Sequence, residues 1–207
     1  MNQITKVDYI DLLSGPTGET LVEKQARLLQ KLPDVWRVEY LKMSPGETDI
    51  YIVRHGSFQY MFDNYTMLEA SGKVPYNPNR ESRLVVAFGY SKPQRIPRDD
   101  FRLKGWVGPT EQLFGAECDK GHFIAHSIGG TVDQCELNVF VQNRRLNRGW
   151  SAEGKKYVLM EKYCFSTPNT FCFSRPIYTD GFAKPAMLEF GVLKAGGELW
   201  VETFNNQ

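Results

Sequence analysis

Alternating apolar and polar positions divide the chain into short strands with few helices between them. Tyr9, Ile10, Leu12 and Leu13 form an apolar cluster that breaks at Gly15-Pro16. Between Glu19 and Leu32, the positions Leu21, Ala26, Leu28, Leu29 and Leu32 recur at broadly helical spacing among Glu and Lys. This predicts one amphipathic helix, with Thr17 or Thr20 as its cap and Pro33 as its terminator. Val35–Met43 and Asp49–Met61 alternate and are rich in Val, Ile and Tyr, which predicts antiparallel strands joined at a Pro45-Gly46 turn. Tyr65–Ala70 predicts a short helical piece, and the turn-rich stretch Ser71–Ser82 a surface loop. The continuous apolar run Leu84–Tyr90 predicts a buried central strand. Toward the C-terminus, Thr170–Tyr178, Met187–Leu193 and Glu198–Phe204 read as strands, the last two closed into a hairpin by Gly196-Gly197.

These elements predict an α+β fold with a mostly antiparallel sheet and few helices. The length of 207 residues suits one well-buried core, so residues 1–207 are expected to form a single domain. The Pro-punctuated connection Ser91–Asp100 divides it into a decorating N-terminal half, 1–98, and a second half, 99–207, that carries the chemistry. A net charge of +1 excludes a global basic field, so any attraction for a polyanion must be local. Arg144, Arg145, Arg148, Lys155 and Lys156 supply such a cluster, although a solvated helix face is the simpler reading of a charge run. No apolar run approaches the roughly 18 residues a membrane span needs. The N-terminus lacks the apolar core of a secretory signal, which leaves the location open between a cytoplasmic protein, one delivered as a toxin, one exported without a cleavable signal and a piece excised from a longer chain. None of the four cysteines, Cys118, Cys135, Cys164 and Cys172, forms a CxxC pair. Cys118 and His122 do stand at a ligand-like i, i+4 spacing, but small buried thiols are the simpler reading.

The chemistry concentrates between Glu117 and Glu161. Asp119-Lys120-Gly121-His122 leads into Phe123-Ile124-Ala125, read as a strand-like anchor, then His126 and Gly129-Gly130. Asn138, Gln142 and Asn147-Arg148-Gly149-Trp150 follow, with Tyr157–Glu161 closing the stretch. A histidine is largely neutral near pH 7, so His122 can serve as a general base; taken alone, it is more simply a core or surface histidine. The Asn147 carboxamide oxygen at a helix start is a hard ligand of the kind Mg²⁺ accepts; taken alone, Asn147 is more simply a helix cap or the head of an Asn-x-Gly turn. Trp106, Trp150 and Tyr157 could stack unpaired bases, with core packing the simpler use of each.

Together these motifs resemble the non-specific DNA/RNA endonucleases of the ββα-metal (His-Me finger) superfamily, and most nearly its toxin and secreted-nuclease branch. The resemblance covers about 45 residues, with the motif spanning roughly 117–164. It implies a metal-dependent endonuclease of low sequence specificity that cleaves DNA, and RNA as a further substrate, to 5′-phosphate ends. It implies His122 as general base, Asn147 as direct ligand of Mg²⁺ (Mn²⁺ as an alternative), Glu161 in the ion's outer shell, and Asn138 in support of that ligand. Lys120 and Arg148 join the catalytic set, and an inhibitor or immunity protein is an expected partner. Lys120 stands where the family usually has arginine, keeping the charge but losing the bidentate fork. Glu153 competes with Glu161, His126 is read as structural rather than substrate-binding, and Arg102, Arg144 or Arg148 could supply the phosphate-binding arginine. Two alternatives stay open: a non-catalytic module that retains the ββα shape, and a nuclease with a structural zinc.

Overall fold

The computed structural model describes residues 7–44, 46–95, 107–132 and 136–207. Its centre is a six-stranded antiparallel sheet in the order β1-β2-β3-β6-β7-β8. The strands are β1 (Ile50–His55), β2 (Phe58–Asp63), β3 (Arg83–Tyr90), β6 (Phe171–Ile177), β7 (Met187–Leu193) and β8 (Leu199–Asn205). A second, two-stranded sheet pairs β4 (Cys118–His122) with β5 (Val139–Asn143). The architecture is therefore α+β and mostly antiparallel, as the alternation predicted.

One face of the main sheet is covered by α2 (Leu21–Met43), a single 23-residue helix. Thr20 caps it in a reciprocal box: its backbone N–H donates to the Glu23 carboxylate at 2.9 Å, and the Glu23 N–H donates to its hydroxyl at 3.3 Å. Two expectations fail here. Pro33 lies inside the helix rather than ending it, and Val35–Met43 is helix rather than strand. An interior proline costs roughly 3 kcal/mol, so something larger must hold the second half. Leu28, Leu32, Trp36 and Tyr40 form one buried stripe at four-residue spacing, while Val38 and Leu41 are exposed. The Trp36 ring packs 5.3 Å from Phe88 and 4.8 Å from Phe173, and burial of such an aromatic outweighs the missing hydrogen bond.

The strand expected over Asp49–Met61 is two strands, because Gly56-Ser57 turns it into the β1–β2 hairpin. Gly56 adopts φ +61°, a backbone angle that suits glycine in a two-residue turn. Pro45 lies outside the described residues, and Gly46 beside it connects α2 toward β1. The expected helix at Tyr65–Ala70 forms as α3, and Leu84–Tyr90 falls within β3, in the middle of the sheet. That run is continuously apolar because both of its faces are covered. Val85, Val86 and Phe88 join the core under α2, and Leu84 and Ala87 join a second core on the opposite side.

The second core belongs to the unit inserted between β3 and β6. That unit runs through α4 (Thr110–Phe114), the β4–β5 pair, α5 (Arg144–Asn147) and α6 (Ala152–Ser166). Phe123, Ile124, Phe140, Leu146, Tyr157, Met160 and Cys164 pack from it onto Leu188, Phe190 and Phe204 of the sheet. Strand β3 pairs with β6 across the insertion, so residues from both halves of the chain build one sheet. Among the described residues no helix is long and apolar enough to cross a membrane.

Candidate active site

The β4–β5 pair fixes the site's first layer. Register sets Asp119 opposite Gln142, Gly121 opposite Phe140 and His122 opposite Val139. Gly121 has no side chain, and the Gln142 side chain takes that space: a Cβ at 121 would stand 2.0 Å from Gln142 Oε1 and 2.5 Å from its Cβ. The glycine between Lys120 and His122 is thus a packing requirement of the facing strand. His122 ends β4, and strand alternation sends Lys120 and His122 to the face opposite Asp119. The expected strand-like anchor is different in kind. Phe123 and Ile124 are buried in the connection that follows β4, where Phe123 stacks on Phe140 at 4.2 Å.

Asn138 closes that connection. Its carboxamide accepts from the Ile124 N–H and donates to the Ile124 carbonyl, both at 2.9 Å, and its own carbonyl accepts from the Phe123 N–H at 3.0 Å. Asn138 is fully buried and both of its polar side-chain atoms are committed to backbone, so it shapes the finger. His126 opens a 3₁₀ turn, His126–Ile128, and its Nε2 is buried without a hydrogen-bond partner among the described residues.

The second layer comes from α5 and gathers around Asp119. Arg148 donates to it twice, Nε to Oδ2 at 2.7 Å and Nη2 to Oδ1 at 3.0 Å. Arg144 Nε donates at 2.9 Å and Asn147 Nδ2 at 3.2 Å. Burial pushes the Asp119 carboxyl up, but the hydrogen bonds from Arg148, Asn147 and Arg144 outweigh that and hold it below the ordinary carboxylate value. Arg144 also donates to Glu111 on α4, so the cluster ties three elements together. Asn147 is the last residue of α5, not a helix start as expected; Gly149 follows at φ +68° and the chain turns there into α6.

This arrangement sets the Asn147 amide. An ionised carboxylate only accepts, so the group facing Asp119 must be the NH₂, which leaves Oδ1 turned away. Oδ1 accepts no hydrogen bond among the described residues. A carboxamide oxygen presented in this way is the donor a hard divalent cation takes, with water and phosphate completing the shell. Among the described residues no group of three or more His, Cys, Asp or Glu is placed to hold a metal ion. Cys118 and His122 cannot share a zinc ion, because four residues of extended strand span about 13 Å. The Cys118 thiol instead faces the Phe114 carbonyl, and Cys118, Cys164 and Cys172 are all free and buried. Cys135, Arg102 and Trp106 lie outside the described residues.

The third layer is α6. Ser151 caps it by accepting from the Gly154 N–H at 2.9 Å, and Gly154 lets its first turn pack against α5: a Cβ there would stand 2.5 Å from the Arg145 carbonyl. Tyr157 is buried, and its hydroxyl reaches the His122 carbonyl at 3.5 Å beside Gln142 and Glu161. Burial, followed by the charge of Glu161, pushes this phenol well above its ordinary value. Of the two competing glutamates, Glu153 is exposed in the first turn, whereas Glu161 is half-buried and lies next to Tyr157. Tyr157 is therefore a core residue, while Trp150 is 58% exposed. The sequence alone assigns Asp119 no role, because nothing in the local pattern marks a residue that three others 25 to 29 positions away will meet.

Burial pushes the Glu161 carboxyl up to about 7, partly offset by its hydrogen bond with Tyr157. A group with a raised folded pKa contributes stability that is fully present below its unfolded value and is lost as pH rises through the folded one. Between about pH 4.5 and 7 the folded protein thus holds a proton that the unfolded chain releases, and stability falls across that window. Glu161→Gln removes the loss. In thermal melts with EDTA, its advantage over wild type is expected to grow from pH 5 to pH 8; a constant difference would contradict the assignment.

No family model matches the sequence, and no curated protein matches it. Among solved structures, one titled as the Sda1 nuclease with bound zinc ion aligns at a TM-score of 0.38 and 16% identity, over 76% of this chain and 74% of that one.

Proposed function

We propose that this protein is a metal-dependent endonuclease that hydrolyses the phosphodiester bonds of DNA, and of RNA as a further substrate, with little sequence preference. The observation that carries the reading is the Asn147 amide, turned by Asp119 so that its oxygen faces away from the cluster, with two arginines at the same carboxylate. The ordered likeness of the 117–164 stretch to the ββα-metal nucleases supports it.

In this reading Asn147 Oδ1 would hold Mg²⁺, or Mn²⁺ in its place, and the ion when bound would neutralise charge at the scissile phosphate and its leaving oxygen. His122 takes the proton from the attacking water. An in-line displacement sets attacking and leaving oxygens on opposite sides of phosphorus, so base and metal ligand flank the phosphate rather than touch each other. Arg148 keeps Nη1 clear of the Asp119 pairing, and that N–H can meet a phosphate oxygen. Lys120, on the His122 face, adds positive charge near the attacking side. Glu161 would help orient water toward that ion, and Asn138 holds the connection that follows His122. The test is cleavage of supercoiled plasmid and single-stranded RNA with and without Mg²⁺, comparing wild type with His122→Ala and Asn147→Ala.

A further inference from the structure

Along the outer side of α6 the protein carries a shallow groove of about 290 Å³, lined by Arg148, Gly149, Lys155, Val158, Leu159 and Lys162. Lys155, Leu159 and Lys162 stand at i, i+4 and i+7, so they share one helix face and span about 10 Å along it. Two other cations nearby are neutralised: Lys156 pairs with Glu202 at 3.1 Å, and Arg144 with Asp119 and Glu111. Lys155 and Lys162 are exposed and have no ion-pair partner among the described residues. The groove therefore presents unpaired positive charge that complements an anionic occupant.

Trp150 gives a second, independent feature. It is 58% exposed, and the Arg148 guanidinium lies over its ring at 5.0 Å from the centroid. A large aromatic left outside the core, steadied by a cation on one side, is a platform for another flat ring. Arg148 also belongs to the Asp119 cluster, so groove, platform and candidate active site are contiguous.

We propose that this groove binds the sugar–phosphate backbone of a single nucleic-acid strand, with Lys155 and Lys162 on phosphates and an unpaired base stacked on Trp150. In leading that strand to the scissile position, the proposal rests on the nuclease reading above. A single strand is favoured over a duplex because a base can lie on an exposed ring only when it is not stacked within a helix.

The test is fluorescence anisotropy of the whole protein with a labelled oligodeoxythymidylate of about 15 nucleotides, titrated in EDTA over a salt series. Lys155→Glu/Lys162→Glu is expected to weaken binding at least about tenfold and to lower the salt slope by about 1.4, as loss of two single-strand phosphate contacts requires. Trp150→Ala should weaken binding by about tenfold while leaving the slope unchanged. Lys31→Glu/Lys73→Glu, the same change of charge on α2 and in the loop after α3, should bind nearly as wild type does. The proposal is overturned if the groove double variant binds like that control, or if a duplex of equal length binds more tightly and ignores Trp150→Ala. Plasmid cleavage run in parallel separates the two ideas. Metal-dependent cutting with groove variants that bind normally sinks the groove alone; no cutting with groove variants that lose the oligonucleotide sinks the nuclease reading alone.

Discussion

Asp119→Ala is expected to lower the rate of plasmid cleavage roughly 10–100-fold and to raise the Mg²⁺ concentration needed for half-maximal activity by a comparable factor, the usual cost of removing a group that orients a metal ligand. Asp119 touches no substrate in this account. It accepts from Arg148, Arg144 and Asn147 at once, and without it the Asn147 amide is free to rotate and present nitrogen instead of oxygen. Two guanidiniums would also be left facing each other with no anion between them, which splays the end of α5. Asp119→Asn separates these effects: it keeps the shape and one acceptor but removes the charge, so activity should fall between wild type and alanine. A shift in metal requirement distinguishes this positioning role from a general loss of folding. An Asp119→Ala variant with unchanged metal dependence would show that Asn147 does not depend on this anchor.

The largest expected loss of stability lies far from the site. Glu189→Ala should destabilise the protein by about 3–5 kcal/mol, the range for unpairing a buried ion pair. Arg175 Nε donates to Glu189 Oε2 at 2.7 Å, and both side chains are only 2% exposed. Tyr9 donates to the same carboxylate and accepts from Trp36 Nε1 at 3.1 Å, so one buried network ties α1 (Tyr9–Leu13) and α2 to β6 and β7. Burial, then the charge of Glu189, pushes the Tyr9 phenol well above its ordinary value, which keeps it protonated as a donor at all working pH values. Removing the carboxylate strands the Arg175 charge in the sheet. For a domain of this size the melting temperature should fall by about 10 °C. Arg175→Met/Glu189→Leu, which removes both charges and keeps apolar volume, should recover most of the loss. A drop of under about 1 kcal/mol for Glu189→Ala would mean that the network contributes little.

The sequence and the structure agree where a single physical signal dominates. Leu84–Tyr90 is apolar on both faces and lies mid-sheet, and Gly196-Gly197 closes β7 onto β8. Disagreement arises where two signals compete. Val35–Met43 alternates well enough to read as a strand, and Pro33 reads as a stop. Trp36 and Tyr40 nevertheless continue the stripe begun by Leu28 and Leu32, and tertiary burial decides for helix. At the site, residue types were legible but their partnerships were not. Trp150 and Tyr157 look alike in sequence, yet one is exposed and the other buried against Phe190 and Phe204. Asn147 ends a helix instead of starting one, and its orientation is set by Asp119, 28 positions earlier.

The central claim is that His122 and Asn147 act on a phosphodiester bond, and cleavage kinetics test it most directly. Supercoiled plasmid and single-stranded RNA are incubated with wild type, His122→Ala and Asn147→Ala, in EDTA and with Mg²⁺ or Mn²⁺. The account predicts that wild type cuts only with a divalent ion and that both variants lose at least about a hundredfold in rate, the scale on which a general base contributes. Equal rates for wild type and His122→Ala would remove the proposed base. A wild-type protein that leaves both substrates intact with every ion tried would contradict the endonuclease reading and favour a binding module built on the same finger.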